Sequence, residues 1–142
     1  MNNAMASRPP RVDEAESIAR FVFSEKNEYN PRTMKVRTGA FKPPPNLKMS
    51  VCRVSGLDFA ARKSCGEAVA ALSKRALKGA AITKCLAYRR VQLELLPSPP
   101  PPHHADAVGW PTNPDEIEQR AMRLKIAESL CAESELELYP SA

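Results

Sequence analysis

Five of the six residues from 97 to 102 are proline, and they lead directly into His103, His104, Ala105, Asp106 and, slightly later, Gly109, Trp110 and Pro111. No regular helix crosses such a run, because proline lacks the N–H donor and its ring clashes with the preceding turn. The run therefore separates what comes before it from what comes after. Read as polyproline II at about 3.1 Å per residue, it is a stiff connector roughly 19 Å long with two histidines at its end. Residues 97–111 hold both histidines of the 142-residue chain and its single tryptophan.

Charge divides at the same place. Residues 31–96 carry fourteen basic and three acidic side chains, whereas residues 97–142 carry three basic and eight acidic ones. A basic middle beside an acidic tail has two readings: polyanion binding, or a tail that folds back on the middle. The length suits one domain with one core. No apolar run approaches the roughly 18 residues of a membrane span, and residues 1–11 have no apolar segment of a secretory signal. Cys52, Cys65, Cys85 and Cys131 lie 13, 20 and 46 residues apart without a C-x-x-C pair, so reduced, buried thiols and a cytoplasmic location are expected.

Residues 1–11 are expected to be loosely ordered, and 12–142 to form one α+β domain with a proline-rich connector at 97–102. A small antiparallel or mixed sheet packs on helices in this reading. Alternation over Ala19–Phe23 predicts a strand, and Met34–Arg37 a short second one. The best strand is Leu47–Val54, with Leu47, Met49, Val51 and Arg53 on one face and Lys48, Ser50, Cys52 and Val54 on the other. Ser55 is placed as an N-cap before a helix that breaks near Gly66. A second helix carries Val69, Leu72, Ala76 and Leu77 and ends at Gly79, and a third covers Ala80–Tyr88. Val91, Leu93 and Leu95 alternate as a strand. Asn113 as cap, Pro114 in the first turn and two carboxylates then start a long C-terminal helix to about Cys131. Its buried stripe is Ile117, Ala121, Leu124, Ala127 or Glu128, and Cys131, widened by Leu130. Glu135–Tyr139 is an edge strand.

No motif in the chain names a reaction. The five glycines stand apart at 39, 56, 66, 79 and 109, so no phosphate loop is present, and H-E-x-x-H, G-x-S-x-G and zinc-type cysteine pairs are missing. Nothing calls for a cofactor or a metal, since side chains of adjacent histidines diverge in extended chain. The candidate chemistry is His103 or His104 as acid/base with Asp106 to orient it, set against ordinary hydrogen-bonded loop histidines. Arg53 ends an apolar strand face, where it reaches water, pairs internally or holds an anion. Arg37, Arg89 and Arg90 are the other candidate anion-binding groups. Trp110 is either a loop anchor at the edge of the core or a stacking platform. The proline run also matches P-x-x-P, the form read by SH3-type grooves, but lacks a flanking basic residue.

The series Ala19–Ser24, then Ala40-Phe41-Lys42-Pro43, then Leu47-x-Met49-Ser50-Val51-x-Arg53 with Gly56-Leu57, and His104-Ala105 with Gly109-Trp110-Pro111 resembles a family of small bacterial proteins with no established activity. The resemblance covers roughly residues 18–130. It implies a bacterial cytoplasmic protein and links Arg53 with His104, but brings no fold and no catalytic residue. The sequence thus supports a binding or accessory protein whose basic middle contacts nucleic acid or an acidic protein. The alternative is a small enzyme for a phosphate-containing or nucleotide substrate.

Overall fold

Strand β1 (Ser17–Phe23) is apolar on both faces: Ala19, Phe21 and Phe23 point one way, Ile18 and Val22 the other, and all five are buried. A strand of that kind belongs in the middle of a covered sheet. The computed structural model describes residues 9–140, so the expected looseness of 1–11 falls mostly on residues outside the described ones. After β1 come the short strands β2 (Tyr29–Asn30) and β3 (Lys35–Val36), a 3-10 turn at Thr38–Phe41, and β4 (Met49–Arg53). Helix α1 (Phe59–Ser73), β5 (Leu77–Lys84), α2 (Cys85–Arg90), β6 (Glu94–Pro97) and β7 (His104–Val108) follow. Helix α3 (Glu116–Glu133) and β8 (Glu135–Leu138) complete the described chain. The six-stranded sheet has the order β6-β7-β4-β1-β5-β8, every pair antiparallel, and β2 pairs with β3 separately. This is an α+β fold with a long C-terminal helix, as expected.

Both faces of the sheet are covered. Helix α1 lays Cys65, Val69 and Ala70 on Ala19, Phe21, Phe23, Cys52 and Ala80. On the opposite face Phe41, Tyr88, Trp110, Ala127 and Leu130 pack against Ile18, Val22, Met49, Val51, Ala81, Ala105 and Ala107. No helix among the described residues is long and apolar enough to cross a membrane.

Several local expectations change. Gly66 does not break a helix: α1 runs through it, and a Cβ there would lie 2.9–3.0 Å from Leu77 and Phe21, so glycine lets the helix approach the sheet. Residues 77–84 are a strand rather than helix. Tertiary pairing overrides the propensity of its small residues, because Ala80 and Ala81 face opposite covered sides and Gly79 touches the Glu137 backbone. Leu72, expected on a buried stripe, is exposed, as are Ile117 and Leu124. Only the C-terminal half of α3 reaches the core, through Ala127 and Leu130. The caps shift too: Asp58 caps α1 by accepting from Ala61 N at 2.8 Å, and Asp115 caps α3 by accepting from Ile117 N and Glu118 N. Ser55 Oγ instead accepts from Ser17 N at 2.7 Å.

The proline run is not an extended rod. Pro97 pairs with Ala105 and Leu96 with Asp106, so residues 98–103 reverse the chain as the end of a hairpin, with cis peptides at Pro99–Pro100 and Pro100–Pro101. Ladder closure between β6 and β7 brings the two ends of the run together, which a rod does not allow. His104 consequently opens β7, and His103 ends the turn before it.

Candidate functional site

The sheet opens between β1 and β4. Their ladder consists of Ile18–Arg53 and Ala19–Cys52, after which β1 stays with β5 and β4 stays with β7. Arg20 fills the gap. Its Nε donates to Ala40 O at 2.7 Å and its Nη1 to Ser50 O at 2.9 Å, which ties β4 and the 3-10 turn to β1 by side chain where strand pairing has stopped. No described residue gives Nη2 a hydrogen-bond partner. Burial pushes the Arg20 guanidinium below its ordinary value, against the opposing influence of Tyr88 and Glu28.

A cleft of about 360 Å³ occupies this opening. Its walls include Phe21, Phe23, Val51 and Val69, and its cations are Arg20, Lys42, Lys48 and Arg75, with His104 beside them. Glu28 is the carboxylate in the lining, and it is already paired with Arg75 at 2.8 Å. Arg75 also meets Glu25 at 3.2 Å and lies over the Phe23 ring, 3.9 Å from its centroid. Lys42 and Lys48 are exposed and make no ion pair among the described residues. Gly39 forms part of the wall because a Cβ there would stand 2.1 Å from Asn27 O. A larger cavity of about 510 Å³ lies between the 3-10 turn and α3, and shares Asn27, Gly39 and Lys42 with the cleft. Its own cations are Arg120 and Arg123, the latter donating to Pro111 O at 2.9 Å.

His104 stands between this cleft and a third cavity of about 320 Å³, formed by α1 and the proline turn and lined by Cys52, Cys65, Pro101, Pro102 and His103. Its Nδ1 lies 3.1 Å from Ser98 O and 2.7 Å from Ser98 Oγ. Both contacts fall on Nδ1, so Ser98 fixes the ring through that nitrogen. Ser98, not Asp106, orients the ring. Asp106 lies two residues along the same strand face and makes no hydrogen bond to His104. His103 has a positive φ of 72° and its backbone carbonyl accepts from Arg53 N at 2.8 Å.

The other candidates go elsewhere. Arg53 faces away from His104, because alternation puts its side chain on the opposite side of the sheet from Cys52, the residue paired with His104. There it is buried and its three nitrogens are used: Nε on Glu16 Oε1 at 2.8 Å, Nη2 on Glu16 Oε2 at 2.6 Å, and Nη1 on Pro9 O. Arg89 is held by Glu94 at 3.0 Å and by Val12 O, and Arg90 lies 3.5 Å from Glu133. Arg37 is exposed beside β3. Trp110 is buried in the core, with Nε1 donating to Ala107 O at 3.0 Å, so its ring is an anchor and offers no stacking face. His103 and His104 share a cavity; Arg53 and Trp110 line none of the three.

The acidic tail folds back on the basic middle at two places, Arg62–Glu137 at 2.6 Å and Arg90–Glu133. Arg53, Arg75 and Arg89 take their partners from acids nearer the N-terminus or from Glu94. The arginines of the middle segment are thus largely neutralised, and of the cations that line the cleft Arg20, Lys42 and Lys48 make no ion pair among the described residues. Composition pointed to residues 31–96, which hold Lys42 and Lys48 but not Arg20. The available signal was Arg20 itself, which interrupts the otherwise apolar face formed by Ile18 and Val22. No group of three or more His, Cys, Asp or Glu side chains suited to a metal occurs among the described residues.

No family model, curated protein or solved structure matches the chain.

Proposed function

We propose that the protein binds nucleic acid through the cationic cleft between β1 and β4. The observation that carries this reading is the convergence of Arg20, Lys42 and Lys48 on one concave site without carboxylate partners of their own. Structural ion pairs account for the remaining arginines of the basic middle, Arg37 and Arg32 excepted. Lysines on a flexible stem and a guanidinium fork both suit phosphate oxygens. With Trp110 buried, recognition rests on the phosphate backbone and not on tryptophan stacking. A nucleic-acid partner suits the cytoplasmic location expected from the cysteine spacing.

The test is a salt series with single-stranded and duplex oligonucleotides. On a single strand each phosphate contact contributes about 0.7 to the log–log slope of affinity against salt. Replacing Lys42 and Lys48 with Ala lowers that slope by roughly 1.4 if both contact phosphates. Absence of binding at low salt overturns the reading. Binding to an acidic protein surface in place of nucleic acid gives the same failure here and is found by titration with poly-glutamate.

A second reading, a small enzyme for a phosphate-containing substrate, draws on one observation: His104 lines the same cleft, its ring held through Nδ1 by Ser98. In it His104 is the acid/base and Arg20, rather than Arg53, holds the anion. His104→Ala then costs about 10²–10⁴ in rate, whereas His103→Ala costs little. Turnover that survives His104→Ala removes this reading.

A further inference from the structure

We propose that the cleft between β1 and β4 is a seat for a terminal phosphate, a phosphomonoester, with Arg20 as its fixed ligand and Lys42 and Lys48 as its movable ones. The inference rests on the reading that this cleft meets nucleic acid, and names the part of the strand it takes.

Three features favour an end over the middle of a strand. The first is the shape. The cleft is bounded at one end by the β1–β4 pairing at Ala19 and Cys52, through which a strand does not pass. An internal phosphate seated against that end requires the strand to turn back on itself. A terminal phosphate does not.

The second is charge. Arg75 with Glu25 and Glu28 sums to −1, so together with Arg20, Lys42 and Lys48 the site carries a formal +2. A phosphodiester brings one negative charge, whereas a phosphomonoester carries about 1.5 to 2 at neutral pH and offers three strong acceptor oxygens. The monoester is the better match in both charge and acceptor count.

The third is preorganisation. Two backbone carbonyls pin Arg20 through Nε and Nη1, so the direction of Nη2 is set before any ligand arrives. A donor fixed in this way loses little conformational freedom on binding, and its desolvated charge interacts more strongly than in water. Beyond the cations, Val51, Val69 and Phe21 form an apolar wall. The volume, about 360 Å³, lies at the lower end of the range for small-ligand sites, in keeping with a terminal nucleotide.

The experiment compares one oligonucleotide in three forms: 5′-phosphorylated, 3′-phosphorylated, and with hydroxyls at both ends. Fluorescence anisotropy reads affinity, with nucleoside monophosphates and inorganic phosphate as competitors. One phosphorylated form is expected to bind about tenfold or more tightly than the hydroxyl form, the scale of one added charge-assisted hydrogen bond. Arg20→Lys and the double variant Lys42→Ala/Lys48→Ala are expected to abolish that advantage. The lysines are exposed, so the double variant stays informative if Arg20→Lys fails to fold. Equal affinity for the three forms, without competition by nucleoside monophosphates, overturns the terminal seat while the nucleic-acid reading stands. Binding of nucleoside monophosphates without binding of any oligonucleotide supports the seat and removes the nucleic-acid reading. An advantage that survives both variants places the seat elsewhere and overturns the proposal.

Discussion

Arg53 and Glu16 form a two-point ion pair, Nε to Oε1 at 2.8 Å and Nη2 to Oε2 at 2.6 Å, with side chains only 4% and 11% exposed. Parallel N–H donors of the guanidinium match both oxygens of the carboxylate, so the pair fixes the start of β1 against the end of β4. It sits just where the two strands are still joined, at the Ile18–Arg53 pairing. From the next residues onward the strands separate and the cleft begins. The pair therefore reinforces the joined end of the two strands.

Removing one partner leaves the other charge buried and unpaired. Glu16→Ala is expected to destabilise the protein by about 3–5 kcal/mol, whereas replacing both residues with apolar ones of similar volume recovers most of that loss. Urea denaturation measures both. Oligonucleotide affinity of the folded double variant should stay within about twofold of the parent, since no Arg53 nitrogen faces the cleft. A large loss of affinity without loss of stability would contradict the internal role.

Trp110→Ala is expected to cost about 3–5 kcal/mol, the range for truncating a large buried aromatic. Trp110→Phe keeps most of the ring but loses the bond to Ala107 O, and should cost about 1 kcal/mol for that bond besides any repacking. Thermal or chemical melts separate the two. At temperatures where both variants are folded, nucleic-acid affinity should be unchanged.

Acid sensitivity should be traceable to Glu137. Burial alone raises its carboxyl, but hydrogen bonds from Arg62 and Tyr139 and the charge of Arg62 outweigh this and hold it below the ordinary 4.5. Glu94 is lowered in the same sense: burial raises it, and bonds from Leu95 N and Arg89 prevail. Its side chain is 43% exposed, and solvent screening makes it the smaller contributor. A carboxyl depressed by folding contributes stability above about pH 4.5 that disappears as pH falls through its folded value. The urea midpoint should therefore fall below about pH 4.5, and Glu137→Gln should flatten that fall while lowering stability at pH 7. An identical acid slope in the variant would show that the pair contributes nothing to it.

Elements with strong local signals were legible without tertiary information. The alternation over Ala19–Phe23 and Met49–Arg53 became strands with the expected faces, and the turn chemistry of residues 112–116 placed the start of α3 to within two residues. The edge strand after α3 was also readable from Leu136 and Leu138 set among glutamates. Elsewhere local signals misled. Leu77–Lys84 is rich in small residues that tolerate helix, and pairing with β1 and β8 decides for strand. Gly66 reads as a break when neighbours are ignored, yet it is where α1 comes closest to Phe21 and Leu77.

The sequence by itself determined that Ala19–Phe23 would be a strand, that basic charge would concentrate between residues 31 and 96, and that a long helix would start close after Pro114. These depend on periodicity and on side-chain chemistry within a few residues. Only the tertiary structure decided which cations remain unpaired. Arg53 and His104 are neighbours in the β4–β7 pairing but lie on opposite faces, and Glu16, 37 residues away in sequence, claims the arginine. Arg20, Lys42 and Lys48 come together because β1 and β4 part company after two paired positions. Ion pairing and strand divergence depend on distance in space, and a linear pattern carries no record of which carboxylate arrives first.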